Sequence, residues 1–211
     1  MNLESLETFF MEQISDAKKK GVLFSLHMKA TMMKVSDPII FGKCVEVFYN
    51  EIFKKYKSEL DEIGVDVNNG SGDLFSKINE LTPDFQKRIL LDIKKIHESN
   101  PDLAMVNSDK GISNLHIPSD VIIDASMPAM IRSSGKMWNK EGVLQDVKAV
   151  IPDRSYSDIF QATIDFCKFL YKEVGRDFFW RDRLKWSDQD WLNYISNDFF
   201  KLYILKQNNK L

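Results

Sequence analysis

Leu3, Leu6, Phe10 and Ile14 recur at helical spacing up to Lys18, Lys19, Lys20 and Gly21, which predicts a helix over Leu3–Lys20 with its basic end last. The period then drops to two. Between Val22 and Met28 the apolar Phe24, Leu26 and Met28 alternate with Ser25, His27 and Lys29, the pattern of a strand whose polar face ends at Lys29. Further on, Asp37 can cap and Pro38 can open a long helix that carries Cys44, Phe48, Ile52 and Phe53 toward a core. Asn68-Asn69-Gly70-Ser71-Gly72 forces a turn. Two helices are predicted after it, one over Asp73–Leu81 and one from Thr82-Pro83 to about His97, the second with Phe85, Ile89, Ile93 and Ile96 on one stripe and ended by Asn100-Pro101. Leu103–Val106 and Val147–Ile151 read as short buried strands. The pattern over Ser119–Ile131 leaves two readings open, a strand through Val121, Ile122 and Ile123 or a helix entered near Pro128 that carries Met127, Met130 and Ile131. Helix and strand intermixed predict an α/β class with helices layered on a sheet.

The region from Phe166 to Tyr203 differs in character, since it holds 12 of the chain's 25 aromatic residues and no proline follows Pro152. Ser187 and Asp190 have the spacing of a capping pair, and Leu192, Ile195, Phe199 and Leu202 continue at helical spacing. Such a stripe either docks on its own domain or offers a partner surface. With 211 residues, 44% apolar, the chain has enough material for a packed core. Its 29 Lys and Arg against 31 Asp and Glu leave a net charge of −2, which argues against nucleic acid as a partner. No apolar run approaches the roughly 20 residues a membrane helix needs, so no membrane partner is expected. The first fifteen residues carry Glu4, Glu7 and Glu12 without a basic n-region, so a cytoplasmic location is the expectation. Cys44 and Cys167 lie 123 positions apart with no His or Cys at ligand spacing, which fits buried thiols.

Several groups could carry chemistry, each beside a plainer role. Lys29 at a strand end could exchange protons from a closed cleft, but most lysines are solvated surface groups. Asp124 follows three β-branched residues and could offer oxygen to a hard cation such as Mg²⁺ or Mn²⁺, or cap the next segment through the Ser126 or Met127 N–H. Asn69-Gly70-Ser71-Gly72-Asp73 could cradle a phosphate, yet it lacks a Walker lysine and three-glycine spacing, so a plain turn is expected. Asp153, Arg154 and Tyr156 follow a strand where α/β proteins often bind ligands, and Arg132 to Lys136 form a basic loop suited to an anion or to an exposed turn. His97 and His116 have no partner at a telling spacing and are read as structural.

Taken in order, longer runs resemble the monomeric type of NADP-dependent isocitrate dehydrogenase. They are Phe24-Ser25-Leu26-His27-Met28-Lys29-Ala30-Thr31-Met32-Met33-Lys34 continuing to Gly42, then Asn68-Asn69-Gly70, Leu103-Ala104-Met105-Val106, Ser108-Asp109-Lys110-Gly111-Ile112, Pro118 through Asp124 to Arg132, and Ala149 through Asp153 to Tyr156. The resemblance covers about residues 5–168 and corresponds to an internal part of that enzyme's large central domain, so it implies domains at 1–168 (isocitrate dehydrogenase-like) and 169–211 (a divergent aromatic-rich helical tail). It implies oxidative decarboxylation of isocitrate to 2-oxoglutarate and CO₂, with NADP as the hydride acceptor and Mg²⁺ or Mn²⁺ as cofactor. Lys29 matches the family's catalytic lysine, a proton-transfer group, and Asp124 matches one of its metal-binding aspartates. In the family, the residues that grip the isocitrate carboxylates precede the segment matching Met1. Two further metal aspartates, most of the NADP site and a catalytic tyrosine follow the segment matching Cys167. Tyr194 lies in the divergent run and carries no role over. A chain of this extent is therefore expected to be inactive alone, with isocitrate as the small-molecule substrate; in the alternative that the chain is one half of a split enzyme, the aromatic tail is the surface for a complementary protein fragment. The rival expectation is a non-catalytic interaction protein.

Overall fold

Asn2 starts the first helix in the computed structural model, which describes residues 2–28, 36–152 and 155–195. The Asn2 side chain accepts from the Glu4 and Ser5 N–H groups, α1 runs Leu3–Lys20, and Gly21 ends it in the left-handed conformation. The buried stripe is Leu6, Phe10, Ile14 and Ala17. Leu3, expected in the core, is 53% exposed because the stripe begins one turn later, at Leu6, and is closed by Ala17 at the other end.

Strand β1 (Leu23–Leu26) follows, and it is buried on both faces. Phe24, Leu26 and Met28 enter the main core, while Leu23 on the opposite face packs with Ala104 and Met137, against Met130 and Val147. The polar face expected of this strand is therefore not a solvent face, for Ser25 and His27 are as buried as their apolar neighbours. A strand with partners on both edges and cover on both faces must satisfy its polar side chains from within the protein.

The long helix expected after Asp37 is divided into three: α2 (Ser36–Phe48), α3 (Asn50–Lys55) and α4 (Lys57–Glu62). The interruptions fall at Tyr49 and Tyr56, both buried. Tyr49 turns its ring edge-on to Phe48 and Phe75 and shares its hydroxyl with His97 Nε2 at 3.3 Å. Cys44, Phe48 and Ile52 are buried as the pattern predicts, and Phe53 packs half-buried against the same core. Helix α5 (Ser71–Lys77) begins two residues before the expected Asp73 and gives way to a 3₁₀ turn over Ile78–Glu80, while α6 (Pro83–Ser99) matches expectation, opening on Thr82-Pro83 and burying Ile89, Ile93 and Ile96.

The sheet is completed by β2 (Met105–Asn107), β3 (Ile112–Ser113), β4 (Lys136–Trp138) and β5 (Leu144–Val150), with α7 (Ile123–Arg132) between β3 and β4. The order is β1-β5-β4-β2-β3, and only β1 and β5 are parallel. The sheet curls, since Leu103, just ahead of β2, returns to the free edge of β1 as a bridge to Phe24. Asn114 extends that edge: its side-chain amide accepts from the Leu26 N–H and donates to the Leu26 carbonyl, as a strand partner's backbone would. The open reading of Ser119–Ile131 resolves to a 3₁₀ turn over Pro118–Val121 followed by α7, with Pro128 inside the helix.

The chain divides into two compact units, Met1–Asp153 and Arg154–Leu211. In the second, α8 (Ser155–Gly175) and α9 (Asp188–Ile195) share a small core of Ile164, Cys167 and Trp191. Ser187 and Asp190 form the expected reciprocal cap: Asp190 Oδ2 accepts from the Ser187 N–H, and Ser187 Oγ accepts from the Asp190 N–H. Phe199 and Leu202, the continuation of the stripe, lie outside the described residues. Both cysteines are free and buried, and burial pushes both thiols up in pKa.

Candidate functional site

The two residues singled out for chemistry lie 95 positions apart in sequence, and the fold joins the segments that lead to them. At the end of β1, the Met28 N–H donates to the Val121 carbonyl at 2.8 Å and the Met28 carbonyl accepts from the Ile123 N–H at 2.9 Å. Met28 immediately precedes Lys29, and Ile123 immediately precedes Asp124. Lys29 itself lies outside the described residues. Asp124 occupies the first turn of α7 and is exposed. It is not the helix cap: Ile122 holds that position, and no side-chain cap bond is made. A carboxylate there lies at the positive end of the helix dipole.

Pattern reading missed the polar cluster beneath this junction. His27, fully buried, shares Nε2 with Ser25 Oγ at 2.9 Å and Nδ1 with Ser126 Oγ at 2.7 Å. Each serine hydroxyl both donates and accepts, so either neutral tautomer of the imidazole is satisfied. Strand alternation sets Ser25 and His27 on one side; nothing local in the sequence ties them to Ser126.

Burial lowers the His27 pKa from 6.5 to about 4. The unfolded chain therefore takes up a proton between those values that the folded chain refuses, and stability falls as pH drops through that window. The loss expected from His27 is roughly 3 kcal/mol, complete below the folded pKa. His97, also lowered by burial, adds in the same sense. Urea titrations at pH 7 and pH 4.5, with the His27 ring followed by NMR, check this. A ring titrating at its ordinary value with stability flat over the window would refute it.

The other candidates among the described residues make structural contacts. The N–H groups of Ser71 and Gly72, offered as a phosphate cradle, already donate to the Leu115 and His116 carbonyls, both at 2.9 Å. The Arg132–Lys136 segment is an exposed turn with Ser134 and Gly135 at positive φ, and Lys136 begins β4, 3.7 Å from Asp146. His97 packs at a tilt against Phe48 and edge-on to Tyr49. His116 lies against Gly72 with its ring. Asp153, Arg154 and the Tyr156 side chain lie outside the described residues.

Among the described residues, no three His, Cys, Asp or Glu side chains gather closely enough to hold a metal ion. One carboxylate from Asp124 does not make the multi-carboxylate centre that the resemblance implies, so the described residues do not fit a resident cation on their own. Also among the described residues, no helix is long and apolar enough to cross a membrane.

The model of the monomeric isocitrate dehydrogenase family matches residues 1–172. An NADP isocitrate dehydrogenase of Azotobacter vinelandii is 57% identical over 168 residues, covering 80% of this chain and 23% of the relative. NADP isocitrate dehydrogenases of Mycobacterium tuberculosis and Colwellia maris are 53% and 50% identical, each over the same shares. The chain thus spans about a quarter of the length of these relatives.

Proposed function

The chain belongs to the monomeric isocitrate dehydrogenase family, and from that premise we propose that it contributes part of an NADP-dependent isocitrate dehydrogenase site, Lys29 and Asp124, without completing the reaction alone. In this reading isocitrate passes hydride to NADP, and the resulting β-keto acid loses CO₂ to give 2-oxoglutarate. Lys29 moves a proton at the enol formed on decarboxylation, for which an amine must reach its neutral form. Asp124 gives one carboxylate to a site for Mg²⁺ or Mn²⁺ whose other ligands lie elsewhere. Residues 1–168 form part of a larger enzyme's layered central domain, residues 169–211 are a divergent aromatic-rich tail, and the protein works in the cytoplasm.

The observation that most supports this is the Met28 backbone pairing with Val121 and Ile123, which brings the segments entering Lys29 and Asp124 side by side. Dependence on a complement is supported by the match to 23% of the Azotobacter vinelandii relative. A second reading, a non-catalytic interaction protein, draws on the second unit. There Phe169, Phe178, Phe179 and Trp180 are exposed, Phe179 at 75%.

The test is NADP reduction with isocitrate and Mn²⁺, by the chain alone and after mixing with the complementary segments of the Azotobacter vinelandii relative. No turnover alone and turnover after mixing is the expected pair of results. Turnover by the lone chain would overturn the dependence on a complement. Silence in both cases, with a stable complex formed, would favour the interaction reading.

A further inference from the structure

We propose that His27 and Ser126 are positioning residues which, through their mutual hydrogen bond, set the rotation of α7 and with it the direction in which Asp124 is presented beside the end of β1. The proposal rests on the functional reading above for what Asp124 does, but not for the geometry. The Met28 pairing to Val121 and Ile123 fixes where α7 begins. It leaves the helix free to turn about its axis, because backbone bonds at one end form a pivot. Ser126 supplies a second attachment one turn further on, at 2.7 Å from His27 Nδ1. Met130, four residues beyond, supplies a third by packing on Leu23, Ala104 and Met137. Ile123, Ser126 and Met130 therefore form the docking face. At about 100° per residue, Asp124 lies some 200° from Ser126, on the outward stripe with the exposed Pro128 and Ile131. Rotation of the docking face moves that carboxylate directly.

The chemistry of the contact fits a positioning role. A fully buried histidine between two serines costs desolvation that an apolar side chain of similar volume would avoid, and what a hydrogen bond adds over packing is direction. Met130 alone is a flexible apolar contact and tolerates sliding.

Ser126→Ala, Ser126→Thr and wild type distinguish the outcomes in two arms. In the chain alone, Ser126→Ala is expected to speed hydrogen exchange of the Ile123 and Met28 amides about tenfold while Phe48 and Ile52 amides are unchanged, with Thr restoring the wild-type rate. In the reassembled enzyme, Ser126→Ala should lower kcat about tenfold with KM for NADP unchanged, again rescued by Thr. Exchange that rises throughout the core, or at no site, overturns the strap. Local exchange with unchanged kcat overturns the positioning role. Inactive wild-type reassembled enzyme overturns the functional reading instead, and the exchange arm still decides the geometry.

Discussion

Lys29→Met is expected to abolish NADP reduction by the reassembled enzyme, with kcat falling about 10³-fold, the scale on which a positioned acid or base contributes. The substitution keeps the length of the side chain and removes the amine, so assembly with the complementary segments should be unchanged. Lys29→Arg separates two roles. A guanidinium retains charge but does not give up a proton near neutral pH, so an Arg variant as dead as the Met variant identifies proton transfer, whereas an active one reduces Lys29 to a cation. Asp124→Asn should behave differently. On the proposed reading it removes one anionic oxygen from a shared cation site, so the Mn²⁺ concentration for half-maximal rate should rise about tenfold to a hundredfold. If Asp124→Asn leaves the Mn²⁺ dependence untouched, Asp124 is not a ligand and its match to the family's motif is a matter of descent alone.

Gly70→Ala is expected to cost about 3–5 kcal/mol, a large share of the stability of an ordinary domain. Gly70 has φ +98° and ψ −180°, a region that side-chain-bearing residues essentially do not enter. A Cβ there would also stand 2.1 Å from the His116 carbonyl oxygen and 2.7 Å from its carbon. That carbonyl cannot retreat cheaply, since it accepts the Gly72 N–H, and the neighbouring Leu115 carbonyl accepts both the N–H and the hydroxyl of Ser71. Gly21 provides the control. It too has positive φ, at +64°, but a Cβ added there would meet nothing within 4 Å. Gly21→Ala should therefore cost about 1 kcal/mol, the left-handed penalty without a clash. Urea midpoints for the two variants, compared at equal slope, measure the difference. Equal losses would mean that the clash with residue 116 is relieved by backbone movement.

What the sequence made legible was whatever is decided within a few residues. Helix α1 could be bounded because its stripe, its basic last turn and Gly21 are all local, and α6 because Thr82-Pro83 and Asn100-Pro101 bracket it. Two short strands escaped: β3 has two residues and β4 three, too few to carry a period, and each exists only through its pairing with β2 or β5. The break at Tyr49 is likewise a tertiary decision, made where the ring finds Phe75 and His97. Alternation through Ser25 and His27 was visible, but alternation alone cannot say whether a polar face meets water or a helix arriving a hundred positions later. The candidate site divides the same way. Lys29 and Asp124 emerged from long matching runs, since one amine and one acid at that separation have no spacing rule of their own. Ser126 had no local signal and required coordinates.

The parallel pairing of β1 with β5 has a consequence for how the molecule is made. Leu23 waits for Val147 and Leu26 for Val150, so during synthesis the second element of the chain emerges long before its neighbour exists. In the interval the cluster of α1 with α2 through α6 can form from nearer contacts, leaving β1 attached along one flank only. Closure of the curl is then a late event, and an exposed strand edge persists on the nascent polypeptide until Val147 to Val150 have left the ribosome. For this chain, translation speed over residues 27–146 sets the time available for mispairing.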